Sequence, residues 1–176
     1  MNSLRRITAA AACLLLPTAG LVLTAGTAHA AGSTTCSQSH LPLPDPSCQP
    51  GAFNRDVTQA TIGSTICVSG WTKTVRPPAS YTNKLKAQQI AAYGYTDTDP
   101  ASYEEDHFVP LELGGAPRDP KNLWPEPRSG NEQASDKDQV ENKLKQAVCN
   151  GTVTLDAARS AIVTDWTTAL ADLGLE

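Results

Sequence analysis

Within one hairpin's length the chain places Asp106, His107, Gly114, Gly115, Asn122 and Asn131. An imidazole beside an acid, followed by two carboxamides, has the donor set for hydrolysing a phosphodiester. Such a reaction needs a base for water, a cation to offset charge at phosphorus, and a group that fixes the base. Histidine titrates near 6.5 and suits the base at neutral pH, so His107 takes that role. Asp106 and Asn131 are hard oxygen ligands, suited to Mg²⁺ first and Mn²⁺ second, as Lewis acid and charge stabiliser. Asn122 can hold the imidazole or the hairpin through its amide. Glu112 is either a plain loop acid or a group standing behind the metal ligands.

The local pattern predicts how these groups are carried. Residues up to Phe108-Val109 suit a strand that Pro110 ends. Gly114-Gly115 permits a tight reversal. Asn122-Leu123-Trp124 reads as a return strand stopped by Pro125, and a helix starts near Asn131 or Ser135. Neighbouring Asp106 and His107 point to opposite faces of an ideal strand, so a shared site requires a twist or bulge there. Glu104 and Glu105 read as a solvated face, Trp124 and Trp166 as core, and Lys137 and Lys143 as solvated.

These residues resemble the HNH, or His-Me finger, endonuclease motif. DHFVPLELGG, NLWP and Asn131 match its order, with 15 residues from His107 to Asn122 and nine from Asn122 to Asn131. The resemblance implies a ββα-metal core over about residues 104–145. It also implies Asp106 and Asn131 as metal ligands, His107 as general base and Asn122 as the residue that orients the hairpin. Many members have histidine where Asn131 stands, and the zinc-binding cysteines found around many such motifs are absent. The flanking CVSGWTKTVRPP is similar to small exported actinobacterial members. The expected activity is endonucleolytic, with DNA favoured over RNA. The competing expectation is a non-catalytic module that keeps the hairpin for metal or cell-surface binding.

The rest of the chain frames this stretch. Residues 1–30 read as a secretory leader, with Arg5 and Arg6, an apolar run interrupted by Pro17, and Ala28-His29-Ala30 before the cleavage point. A membrane span needs about 20 apolar residues, which the run lacks. A secreted, extracellular monomer with no membrane partner is expected. Removing that leader takes the formal net charge from −4 to −6, which counts against coating nucleic acid by charge alone. Lys73, Arg76, Lys84, Lys86, Arg118, Lys121 and Arg128 can still make a local basic face.

Four cysteines then remain, which in an exported chain read as two disulfides. Three pairings are open. Cys36–Cys48, stapling a Pro-rich arm over 31–56, and Cys67–Cys149, closing a long loop, are favoured. Without a Cys-x-x-Cys pair, a zinc site is the weaker reading. His40 lies on the arm as a loop histidine. The domain proper is expected over 57–176, as an α+β fold of mostly helix. Ser64–Trp71 reads as a strand. Helices follow over 80–94, from Ser135 with a Ser135–Asp138 capping box, and from a Thr154 cap through Leu173.

Overall fold

A computed structural model describes residues 35–175, part of one compact unit, Ala31–Glu176. The expected leader lies outside the described residues. The fold is mixed α+β: five helices, one two-stranded antiparallel sheet and two disulfides among the described residues.

Helix α1 (Trp71–Val75) and helix α2 (Ala79–Tyr93) precede strand β1 (Tyr103–His107). Strand β2 (Leu123–Pro127) returns antiparallel, with Asp106 opposite Trp124 and His107 opposite Leu123. Helix α3 (Ala134–Cys149) follows, then α4 (Leu155–Asp165) and α5 (Ala169–Asp172). Strand, loop, strand and helix thus come in the expected order around the Asp106–Asn131 stretch. No helix of the described residues is long and apolar enough to cross a membrane.

Helix α2 ends where expected, at Gly94 with φ 62°, a left-handed stop that glycine adopts without Cβ strain. Other boundaries differ, each for a local reason. Ser64–Trp71 is not a strand. The hydroxyls of Ser64 and Thr65 donate to the Thr61 carbonyl, and such bonds hold the backbone in turns rather than offering it to a sheet. β2 runs through Pro125 to Pro127 instead of stopping at Pro125. Phe108 N donates to Asn122 O and Arg128 N to Ser102 O; with ladder bonds on alternate pairs, Pro125 and Pro127 fall where no inward N–H is needed. The α3 capping box is Gln133 with Asp136, two residues before the expected one. The last helix breaks after Asp165, whose Oδ1 accepts from both N and Oγ1 of Thr167.

Two apolar clusters hold the fold. One joins Leu144 and Val148 of α3 to Leu155, Ala158 and Ile162 of α4, with Ile66, Leu113 and Trp166. The other packs Tyr93, Tyr95, Tyr103, Phe108 and Trp124 around the sheet, with Tyr95 and Tyr103 stacked at 4.6 Å. Trp124 and Trp166 are core residues, as expected.

Cys36 pairs with Cys48 and Cys67 with Cys149. The second bond spans 82 residues, so its removal frees much unfolded-chain entropy. A Cys67→Ser, Cys149→Ser double variant should lose about 4 kcal/mol of stability in urea titration. A loss below about 1 kcal/mol would mean that the apolar clusters constrain the unfolded chain as well as the bond does.

Candidate functional site

The loop between β1 and β2 is built around Asn122, which is fully buried. Its Oδ1 accepts from Val109 N at 2.9 Å and Ala52 N at 3.3 Å. Its Nδ2 donates to Val109 O at 3.0 Å and Ala116 O at 3.2 Å. One carboxamide therefore closes the hairpin and ties the N-terminal arm to it. Gly115 is required beside it, since a Cβ there would lie 1.8 Å from Val109 O. Further bonds from Gly51 N to Lys121 O and from Asn54 N to Gly114 O complete the strap. The arm is thus part of the loop's framework, which its Pro-rich composition did not disclose.

His107 ends β1 and is 2% exposed. Its Nε2 lies 3.0 Å from Pro117 O. A carbonyl only accepts, so Nε2 carries the proton and the neutral ring presents its lone pair at Nδ1. Burial pushes the imidazole below its ordinary 6.5; the Asp106 charge and the Pro117 carbonyl pull upward without cancelling that. The ring is neutral at pH 7.

Asp106 goes the other way, as strand alternation dictates. Its Oδ2 accepts from Lys137 Nζ at 2.5 Å. Lys137, expected on a solvated face, is 1% exposed. It also donates to His107 O at 3.1 Å and pairs with Glu141. The stripe Ala134, Lys137, Glu141, Leu144 and Val148 explains this: all five are buried and their 3–4 spacing makes one inward helical face.

Glu126 joins the same cluster. It is 1% exposed, and neither of its oxygens has a hydrogen-bond partner. Burial, with Asp106 alongside, pushes it well above the usual carboxyl range. Burial likewise raises Glu141 to about 8 despite Lys137. Burial would raise Asp106, but the Lys137 charge and its hydrogen bond hold it below the ordinary range. Burial opposes the charge on Lys137, but the acids around it, Asp106 first, raise it well above its usual value. The ion pair of the cluster is therefore Lys137 with Asp106, while burial drives Glu126 and Glu141 toward their protonated forms. Glu105, expected in solvent, has both oxygens buried without partners and is raised to about 8 by burial.

Asp106 has one oxygen committed to Lys137, while Asn131 is exposed and lines a shallow depression with Leu41, Pro42, Ser129 and Glu132. Among the described residues, no three His, Cys, Asp or Glu side chains gather to hold a metal ion. Glu112 sits half-buried on the turn after Pro110, with Oε2 sealed and unpartnered. The arrangement does not fit a divalent ion held by Asp106 and Asn131, because an ammonium occupies the carboxylate's front.

The chemistry available is that of an oriented neutral imidazole, a loop fixed by one carboxamide and an enclosed ammonium–carboxylate pair. Two exposed arginines lie near: Arg128 pairs with Glu104 at 2.9 Å, and the Arg76 charge reaches His107 and Glu104. Compared with family models, curated proteins and solved structures, the chain finds no match in any of the three.

Proposed function

We propose that this chain is a secreted endonuclease of the HNH, or His-Me finger, kind, hydrolysing phosphodiester bonds with His107 as the base. The observation that carries the reading is the Pro117 carbonyl on His107 Nε2. It fixes the tautomer that offers a lone pair at Nδ1, and burial keeps that lone pair free of a proton. In the reaction a water oxygen bonds to phosphorus as Nδ1 takes its proton. The bond from phosphorus to the leaving oxygen breaks, and that oxygen acquires a proton. Asn122 acts at a distance, by holding Val109 and Ala116 and so the loop that bears Pro117. Arg76 and Arg128, both exposed, supply positive charge beside the hairpin. The paired cysteines support export to an oxidising compartment.

The ion expected with this reading, Mg²⁺ or Mn²⁺, has only Asp106 as carboxylate ligand, and Lys137 competes for it. Metal dependence is what the assay measures.

Supercoiled plasmid incubated with Mg²⁺ or Mn²⁺ should be nicked, EDTA should suppress nicking, and His107→Ala should slow it by about 100-fold or more. The rate should rise with pH through an imidazole pKa below 6.5 and then level. Equal nicking by a folded His107→Ala variant would overturn the assignment, as would a flat rate from pH 5 to 8.

A second reading has its own observation. Lys137 on Asp106 and the enclosure of His107 favour a non-catalytic secreted module that keeps the hairpin as a binding frame. A pure, folded chain that nicks nothing with either metal supports that reading.

A further inference from the structure

Between Asp56 and Asp97 the sequence contains no acid, yet it carries Lys73, Arg76, Lys84 and Lys86 in a chain of net charge −4. Much of that stretch is α2. On its outer side a groove of about 290 Å³ is lined by Tyr81, Lys84, Leu85, Gln88 and Pro120. No acid lines it. Lys84, Arg118 and Lys121 are all exposed, and none of the three is in an ion pair among the described residues. Lys86 is excluded from this set because its Nζ donates to Pro100 O and Tyr103 O.

The groove is joined to the imidazole through two consecutive carbonyls. Pro117 O meets His107 Nε2, and the next carbonyl, Arg118 O, accepts from Tyr81 Oη at 2.6 Å. Gln89 Nε2 donates to Leu123 O at 2.6 Å and also reaches Pro120 O. These bonds fix α2 against the hairpin and hold the Tyr81 ring in one orientation.

We propose that this groove binds single-stranded nucleic acid, one base resting against Tyr81, Leu85 and Pro120 while Lys84, Lys121 and Arg118 meet the flanking phosphates. A half-buried phenol beside aliphatic walls offers a face to an unpaired base, and a lining without acids, with three unpaired cations against the one neighbouring acid Asp119, favours a polyanion over a peptide. Base pairing would deny the groove its stacking surface. The inference deepens the nuclease reading by naming its substrate as the unpaired strand, but binding at the groove does not require cleavage.

The test is fluorescence anisotropy of a labelled 20-nucleotide oligothymidine with the protein in EDTA, so that no turnover intrudes. The single strand should bind more tightly than a duplex of the same length. Tyr81→Phe keeps the ring and should bind within about twofold of the parent. Tyr81→Leu removes the stacking face and should weaken binding about tenfold. Lys84→Gln with Lys121→Gln should flatten the slope of log affinity against log salt by about 1.4. Circular dichroism checks that each variant folds. No binding by the parent at low salt would overturn the proposal, as would Tyr81→Leu binding like Tyr81→Phe, or heparin displacing the strand equally from both. If the parent binds the strand but never nicks plasmid, the nuclease reading falls and the groove stands. Nicking without strand binding has the opposite meaning.

Discussion

Lys137→Met should destabilise the protein by about 3–5 kcal/mol at pH 7. The ammonium is enclosed with Asp106, Glu126 and Glu141, and methionine fills its volume while leaving the acids without a cation. In the parent, Lys137 holds Asp106 below its ordinary value, so that pair's contribution is present above pH 3.8 and fades as pH falls. Without Lys137, burial raises Asp106, and acidification relieves the penalty by protonating it. The gap between parent and variant should therefore narrow from pH 7 to pH 4 in urea titrations. A loss under 1 kcal/mol, or a gap constant with pH, would mean that the acids find other partners. The parent has its own pH slope. Glu105 and Glu141, raised to about 8, and Glu126, raised well above the usual range, keep protons that the unfolded chain releases near 4.5. These three contribute stability that is complete only below about 4.5 and is lost as pH rises from there through the folded-state values.

Asn122→Ala should cost at least about 4 kcal/mol, because four buried backbone groups lose their partner at once and each orphan costs about 1–3 kcal/mol. Those groups are Val109 N and O, Ala116 O and Ala52 N. Asn122→Asp keeps the acceptor but turns a second oxygen toward two carbonyls, so it should be no better. Hydrogen exchange should locate the damage: the Val109 and Ala52 amides lose protection before the α2 amides do. Protection lost uniformly would show that Asn122 acts on the whole fold rather than on the loop.

The parts legible in the sequence were those with local causes. Gly94 stopped α2, the β1 and β2 segments marked the hairpin, and an even cysteine count, in a chain expected to be exported, announced two bonds; the tight reversal expected at Gly114-Gly115 is instead a long connection from Phe108 to Asn122 in which Gly114 alone of the pair has positive φ. Asn122 could be read as the hairpin's organiser because a carboxamide both donates and accepts. What escaped depended on remote partners. Lys137 looks like any surface lysine until Asp106 and Glu126 are placed opposite α3, although its place on the Ala134–Val148 stripe was a signal. Glu105 looked solvated for the same reason. The 64–71 segment had strand composition but no neighbour to pair with, and hydroxyl bonds claimed its backbone.

The Cys67–Cys149 bond has a consequence beyond rigidity. Both strands, the loop, α2 and all but the last position of α3 lie between its ends, so a protease that clips any one exposed turn there leaves the halves covalently joined. Such a clipped molecule runs as one band until reductant is added, and its buried interior keeps the two pieces in register. Durability in a proteolytic milieu is thus written into the ring.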